Sequence, residues 1–140
     1  MLIKDIMKTE IVTLDTDAKL GFAEEIMYLG RIRHLPVVKN GFLIGIVSQR
    51  DLFKASLTSI ITNWKENQKF LNSIEVKEVM VKDVVTVSPD CAIEDAAQTL
   101  IEKKIGCLPV VENNMKLVGL VTETDFLQHY INQAKKTKTK

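Results

Sequence analysis

The chain has 140 residues, of which 46% are hydrophobic, and its 19 basic and 18 acidic residues give a net charge of +1. That balance provides no field that would attract nucleic acid, and no apolar run is long enough to span a membrane. Residues 1–5 lack the apolar stretch of a signal peptide, and two cysteines fit neither a disulfide framework nor a zinc cluster. We therefore expect a soluble, cytoplasmic protein without a nucleic-acid or membrane partner.

The first part of the chain has the pattern of a β-α-β-β-α unit. A short strand is predicted at 11–14, followed by a helix that Gly30 is placed to end. Apolar residues recur at helical spacing in that helix at Leu20, Ala23, Ile26 and Met27. Short apolar runs at 35–38 and 42–47 flank an Asn-Gly pair, which predicts a hairpin. A second helix opens at 48–51.

Residues 56–72 separate this unit from the next one. They contain no glycine or proline, and their apolar residues recur at helical spacing. We predict a helical linker in which Trp64 is a packing anchor, not a flexible tether.

The remaining residues repeat the same order of elements. A strand is predicted at 84–87, hairpin strands at 108–111 and 116–121, and a last helix from 122–125 onward. The preceding helix carries a core-facing apolar stripe at Ile93, Ala96, Ala97, Leu100 and Ile101. The domain prediction is repeat 1 at 1–55, a linker at 56–72, repeat 2 at 73–131, and a basic, disordered tail at 132–140.

The repeat is explicit in two motifs that occur in the same order in both halves. His34-Leu-Pro-Val-Val returns as Cys107-Leu-Pro-Val-Val, and the run from Gly45 to Asp51 returns from Gly119 to Asp125 with one residue inserted near Met115. A duplicated sequence folds as a duplicated unit. The predicted fold class is α/β (α+β), with two β-α-β-β-α repeats.

The shared motif Gly-x-Val-Ser/Thr-x-x-Asp places a hydroxyl and a carboxylate at a helix N-terminus. The glycine inside the strand lets something approach the backbone closely. The helix N-terminus favours an anion such as phosphate, and the carboxylate can accept hydrogen bonds from a ribose diol. The alternative is structural, because Ser/Thr-x-x-Asp also resembles a helix capping box.

Catalytic motifs are missing from the sequence. It has no phosphate-binding glycine loop, nucleophile elbow or His-Glu-x-x-His, and neither His34 nor His129 recurs in the other half. Nothing around Asp51 and Asp125 supports their use as an acid-base pair. We expect neither catalytic residues nor a metal site.

Taken together, the ordered motifs resemble the CBS repeat, named after cystathionine β-synthase. An apolar residue followed by Met7 or Met80, then Leu-Pro-Val-Val, then Gly-x-Val-Ser/Thr-x-x-Asp occur in this order twice, with Ile6-Met7 opening the first copy, over nearly the whole chain. Two such repeats form a tandem called a Bateman module. The chain is also similar to small stand-alone bacterial CBS-pair proteins, including those linked to acetoin utilisation.

The resemblance implies two repeats packed with pseudo-two-fold symmetry, with ligand clefts between them. Such clefts bind AMP, ADP, ATP or S-adenosylmethionine, and no covalent cofactor is implied. The aspartate holds ribose hydroxyls, the Ser/Thr lies near ribose or phosphate, and apolar groups near the first strand contact the base. The residues so nominated are Ser48, Asp51, Arg33, His34, Arg50 and Val12 in the first repeat and Thr122, Asp125, Cys107 and Val85 in the second.

The two sets of nominated residues differ in charge. The first repeat offers Arg33, His34 and Arg50, whereas the second has Gly106, Cys107 and Thr124 at the corresponding positions, with an acidic Glu123 beside Thr124. Because guanidinium groups bind phosphate bidentately, we expect the Ser48 and Asp51 site to be the better nucleotide site. The other site is expected to be weaker, empty or suited to a less negative ligand. Cys107 by itself fits a small packing residue better than a ligand contact.

Three functions are compatible with this pattern. The first is a regulatory module that binds adenosine-containing ligands as a homodimer and passes its state to an unknown regulated protein. The second is a ligand-free structural or interaction scaffold in which the motifs are helix caps alone. The third, a small nucleotide-hydrolysing enzyme, is disfavoured by the missing nucleophile and metal ligands.

Overall fold

The computed structural model describes residues 1–57 and 64–139. Backbone contacts divide the chain into two compact units that do not follow the linear order of the sequence. One unit is Val12–Val84, and the other combines Met1–Ile11 with Val85–Lys140. Each unit therefore contains the opening segment of the other sequence repeat. We call them the continuous unit and the composite unit.

The continuous unit contains three helices and one hairpin. Its elements are α1 (Leu20–Gly30), β1 (His34–Lys39), β2 (Phe42–Ser48), α2 (Gln49–Leu57) and α3 (Trp64–Ser73). Strands β1 and β2 are antiparallel, with His34 opposite Ser48 and Val37 opposite Gly45. A 3-10 turn at Val76–Glu78 follows α3 and leads to the end of the unit.

The composite unit repeats this arrangement without a counterpart of α3 among its described residues. Its elements are α4 (Ile93–Lys103), β3 (Cys107–Glu112), β4 (Lys116–Thr122) and α5 (Glu123–Lys138). Strand β3 is antiparallel to β4, with Cys107 opposite Thr122 and Val110 opposite Gly119. A 3-10 turn at Ile3–Asp5 belongs to this unit. Helices and antiparallel hairpins together confirm the predicted α+β class.

The predicted first strand of each repeat is reduced to a single bridge. Leu14 pairs in parallel with Val37, and Val87 pairs in parallel with Val110. Each bridge residue donates one backbone hydrogen bond and accepts another, at 2.9–3.1 Å. Residues 11–13 and 84–86, which precede the bridges, carry no strand pairing, and a turn begins two residues after each bridge, at Thr16 and Pro89. The prediction of strands over 11–14 and 84–87 was therefore too long.

Each unit has its own apolar core. In the continuous unit Leu20, Ala23 and Met27 of α1 are buried, and Ile26 packs against them, as predicted. In the composite unit Ile93, Ala96 and Leu100 of α4 are buried with Ile3 from the start of the chain. Burial of the leucine, isoleucine and methionine side chains among them contributes about 1.5–3 kcal/mol each.

Two further sequence predictions need correction. Ile101 was predicted to face the core, but its side chain is 70% exposed, because it lies at the edge of the face of α4 that carries the buried Leu100. The disordered tail was predicted at 132–140, yet α5 continues to Lys138, where basic residues complement the negative end of the helix dipole. The prediction that Gly30 ends α1 is confirmed, and Arg31 follows it in the left-handed conformation at φ 53°.

The predicted helical linker is only partly described. Residues 56 and 57 end α2, and α3 begins at Trp64. Residues 58–63 and the Trp64 side chain lie outside the described part of the chain, so the packing role expected for Trp64 stays a prediction. Among the described helices, none is long and apolar enough to cross a membrane.

The two hairpins differ in their turns. Asn40 and Gly41 adopt φ values of 53° and 83°, as a tight hairpin turn between twisted strands requires. The inserted residue in the second repeat produces a longer turn, in which Asn113, Asn114 and Met115 all have positive φ. Met115 has φ 75°, a conformation that a residue with a Cβ adopts at a cost.

Replacing Met115 with glycine is expected to stabilise the protein. Glycine removes the Cβ clash, for an expected gain of about 1 kcal/mol in the free energy of unfolding. Gly41→Ala is the matched control and is expected to lower it by a similar amount, because Gly41 has positive φ. Urea unfolding of both variants measures the two changes, and a destabilised Met115→Gly would contradict the assignment of strain.

Candidate binding sites at two helix N-termini

Helix α2 begins with a reciprocal capping box. The backbone N–H and the hydroxyl of Ser48 both donate to Oδ2 of Asp51, at 2.7 and 2.9 Å. The Asp51 N–H donates back to Ser48 Oγ at 3.2 Å. These hydrogen bonds confirm that the motif forms a helix capping box. Both bonds to the carboxylate use Oδ2, so Oδ1 takes no part in the cap.

Helix α5 begins in the same way but with a charged neighbour. Thr122 donates to Asp125 Oδ2 from its N–H at 2.8 Å and from its hydroxyl at 3.2 Å. The other carboxylate oxygen, Oδ1, lies 3.5 Å from Nζ of Lys8. Lys8 comes from the opening segment of the chain, which belongs to the composite unit. The two capping carboxylates thus have different electrostatic surroundings.

Backbone bonds place the residues before β1 and β3 beside these helix starts. Gln49 N–H donates to the carbonyl oxygen of Arg33 at 2.8 Å, and Glu123 N–H donates to that of Gly106 at 3.2 Å. His34 lies opposite Ser48, just as Cys107 lies opposite Thr122.

These contacts group the nominated residues into two sites. The first site lies in the continuous unit and consists of Arg33, His34, Ser48, Arg50 and Asp51. The second site lies in the composite unit and consists of Cys107, Thr122 and Asp125, with Lys8 added by the structure.

The positive charges of the first site face solvent. Arg33 and Arg50 are both exposed, and neither forms an ion pair with any described residue. Thr124 occupies the place of Arg50 at the start of α5, next to the acidic Glu123, and both are exposed. The charge difference that the sequence indicated is therefore present at the surface beside the two helix starts.

The two valines nominated for contact with a base differ in exposure. Val12 is 46% exposed, whereas Val85 is partly buried and packs against the core of the composite unit. Neither residue belongs to a strand. Val12 is the freer of the two to contact another molecule.

Cys107 lies in an apolar setting beside a negative charge. It is 5% exposed, and burial, helped by the nearby Asp125 carboxylate, raises the pKa of its thiol to about 12. Cys91 is partly buried, and burial also raises the pKa of its thiol. A thiol with so high a pKa is not a nucleophile at neutral pH. Its burial agrees with the packing role expected for Cys107.

The strand glycine of each motif admits a segment of the protein itself. A Cβ on Gly119 would overlap Sδ of Met7 and lie 3.2 Å from the carbonyl oxygen of Lys8. A Cβ on Gly45 would overlap Sδ of Met80 in the same way. The sequence analysis correctly predicted a close approach at these glycines. The segment that approaches each glycine in the described structure is the opening segment of the other repeat.

Lys8 is the site residue that sequence reasoning missed. The repeat alignment pairs it with Val81, so the difference in charge is visible in the sequence. The alignment does not reveal that Lys8 packs beside β4, whereas Val81 pairs with Ile46 of β2. Within the described residues, no cluster of histidine, cysteine, aspartate and glutamate side chains could hold a metal ion.

The family assignment follows from both sequence and structure. The CBS domain family model matches residues 3–58 and 76–132, which together are most of the chain. The protein therefore belongs to the CBS domain family and carries two CBS domains, as the repeated motifs indicated.

Solved structures with this fold include CBS pairs with bound ligands. The putative acetoin utilization protein AcuB from Vibrio cholerae matches with a TM-score of 0.83 and 34% identity, over 100% of this chain and 97% of that one. The CBS domain pair of MJ0100, solved with 5′-methylthioadenosine and S-adenosyl-L-methionine, matches with a TM-score of 0.79 and 27% identity, over 95% and 98%. CBSX2, solved with AMP, shares the fold with a TM-score of 0.80 and 24% identity, over 95% and 98%.

Several curated relatives are much longer than this chain. The chain spans 47% of the length of MJ1225 from Methanocaldococcus jannaschii, at 27% identity over 92% of this chain. It spans only 23% of a homoserine O-acetyltransferase from Methanohalobium evestigatum. Most of that acetyltransferase therefore lies outside the region that matches this chain.

The thiol of Cys107 is expected to resist alkylation. In a Cys91→Ala variant at pH 8, Cys107 should react with iodoacetamide at least about 100-fold more slowly in the folded protein than in urea, because the folded state disfavours the thiolate. Mass spectrometry of timed samples measures both rates. Equal rates would contradict the burial and raised pKa of this thiol.

Proposed function

We propose that this CBS-domain protein is a regulatory module that binds adenosine-containing ligands at the two helix starts. The observation that carries the proposal is that the two carboxylate oxygens of each aspartate have different roles. Oδ2 caps the helix, while Oδ1 takes no part in the cap and can accept a hydrogen bond from a ribose hydroxyl. The carboxylate therefore does not have to give up its structural bonds in order to bind a ligand.

The ligand preference of the first site follows from its charge. Arg33 and Arg50 are exposed beside the Ser48 and Asp51 cap, and guanidinium groups bind phosphate bidentately. Support for adenosine chemistry comes from MJ0100, whose CBS pair holds 5′-methylthioadenosine and S-adenosyl-L-methionine. We propose AMP, ADP or ATP as the ligand of the first site, with S-adenosylmethionine as the alternative at either site.

Two variants of Asp51 separate ligand binding from helix capping. Asp51→Ala should lose about 1 kcal/mol of stability and also lose nucleotide binding at the first site. Asp51→Asn retains an acceptor oxygen for Ser48 but lacks a second carboxylate oxygen, so it should keep most of the stability and still weaken nucleotide binding at the first site. Calorimetric titration of nucleotide-free protein with AMP, ADP, ATP and S-adenosylmethionine measures affinity, and thermal unfolding measures stability.

The scaffold alternative predicts a different result. If the motifs are caps alone, Asp51→Ala lowers stability equally with and without nucleotide, and no ligand releases heat with the unmodified protein. An enzymatic role predicts product after long incubation with ATP and magnesium, which the binding proposal does not. In the binding proposal, the ligand changes how the module packs, and a partner protein recognises that change.

We further propose that the module is a homodimer located in the cytoplasm. Large apolar side chains are exposed at corresponding positions of the two repeats: Tyr28 and Ile101 on α1 and α4, and Phe53 and Leu127 on α2 and α5. Exposed apolar patches mark interaction surfaces, and the presence of such side chains at the same positions of both repeats is the observation on which the homodimer proposal rests. The two free cysteines are consistent with a reducing compartment.

A charge placed at one of these exposed apolar positions should dissociate the dimer. Ile101→Glu and Tyr28→Glu are each expected to shift the protein toward monomer in sedimentation velocity at micromolar concentration, because a carboxylate would lose its hydration in the interface. Lys103→Glu, also exposed on α4, is the control and should leave the dimer intact. A monomeric unmodified protein would overturn the homodimer proposal.

A further inference from the structure

We propose that Lys8 sets the charge preference of the second site, so that this site favours an adenosine ligand with one anionic group over uncharged adenosine. The inference rests on the proposed function of the Asp125 carboxylate. It assigns a specificity role to a residue far from the repeated motif in sequence. The chemical class of ligand is a nucleoside monophosphate or another nucleoside derivative with a single anionic group.

The backbone of Lys8 is held firmly beside the second site. Its N–H donates to the carbonyl oxygen of Leu120, and its own carbonyl oxygen accepts from the Leu120 N–H, both at 2.9 Å. Gly119 permits this approach, because a Cβ there would lie 3.2 Å from the Lys8 oxygen. The start of the side chain is therefore fixed in position.

The charged end of Lys8 is far less confined than its backbone. The side chain is 61% exposed, and Nζ lies 3.5 Å from Asp125 Oδ1, whereas the Asp125 side chain is 10% exposed. Because the ammonium is solvated, it can leave the carboxylate, but the ion pair is then lost and the mostly buried Asp125 carboxylate needs another donor. The four-carbon stem allows the ammonium to turn toward a neighbouring anion.

A ribose hydroxyl that donates to Asp125 Oδ1 would take the oxygen nearest to Lys8. An uncharged nucleoside then competes with the ammonium for this oxygen and has no anionic group that could replace it as a partner. A ligand with a phosphate within reach provides a new charged partner for the displaced ammonium, through a charge-assisted hydrogen bond. Lys8 thus penalises the neutral ligand and favours the anionic one.

The first repeat offers a natural comparison. Val81 occupies the position equivalent to Lys8, and it exchanges backbone hydrogen bonds with Ile46 at 2.9 and 3.0 Å. Its side chain is apolar and 46% exposed, so it can neither pair with a carboxylate nor bind a phosphate. The first site has Arg33 and Arg50 for that purpose, and the second has the single ammonium of Lys8. This fits the expectation that the second site suits a less negative ligand.

The test compares AMP with adenosine at the second site alone. Asp51→Ala removes the first site, and calorimetric titration gives both affinities with Lys8 and with Lys8→Met. We expect Lys8→Met to weaken AMP binding by about tenfold or more and to leave adenosine binding unchanged or tighter. Lys8→Arg should retain the preference for AMP. In the converse background, Asp125→Ala, adding Val81→Lys should increase the preference of the first site for AMP.

Each other outcome overturns a defined claim. Equal weakening of AMP and adenosine in Lys8→Met would show that Lys8 only holds the fold, and unchanged binding of both would show that it is a surface ion pair. Binding to the unmodified protein but not to Asp51→Ala would overturn this inference and leave the first site standing. Absence of binding to the unmodified protein would overturn the proposed function itself.

Discussion

The hydrogen bonds from Ser48 and Thr122 to one oxygen of Asp51 and Asp125 are the interactions on which both sites depend. The first N–H groups of a helix have no partner within the helix, and a side chain must satisfy part of that deficit. Here the cap orients the carboxylate as well as starting the helix. With Oδ2 committed, the orientation of Oδ1 is set by the backbone, so a ligand would meet a preorganised acceptor.

A second constraint comes from the exchange of opening segments between the repeats. Met7 and Lys8 pack beside Gly119 of β4, and Met80 and Val81 pack beside Gly45 of β2. Each hairpin therefore packs against the segment that opens the other repeat. The repeats share a scaffold, but this exchange brings an ammonium to one capping carboxylate and a valine to the corresponding position of the other.

Much of the fold could be predicted from the sequence, because the periodic signals were strong and occurred twice. The Asn40-Gly41 turn, the core stripe led by Leu20 and Ile93, and the hairpin strands all follow local rules. Predictions failed where a local pattern meets tertiary packing. Ile101 continues the apolar spacing of α4 but lies beyond the part of the helix that the core covers. The basic residues before Lys138 were interpreted as part of a disordered tail, although their charge suits a helix C-terminus.

The candidate sites were predictable to the same degree. The hydroxyl, the carboxylate and the arginines belong to local motifs, and the structure groups them as the motifs indicated. Lys8 could not be assigned, because its position beside Asp125 depends on which unit the opening segment joins. Packing of that kind leaves no periodic signal in the segment itself.

The most direct test of the central claim is whether a ribose diol is recognised by the capping aspartates. In NMR spectra of the ¹⁵N-labelled, nucleotide-free protein, AMP should shift the amide signals of Ser48 and Thr122 saturably, because both amides donate to these carboxylates. The Gly41 amide in the hairpin turn should stay in place. Deoxyadenosine monophosphate, which lacks the 2′-hydroxyl, should bind about tenfold more weakly or worse. Equal affinities for the two nucleotides, or stationary Ser48 and Thr122 signals, would contradict the account.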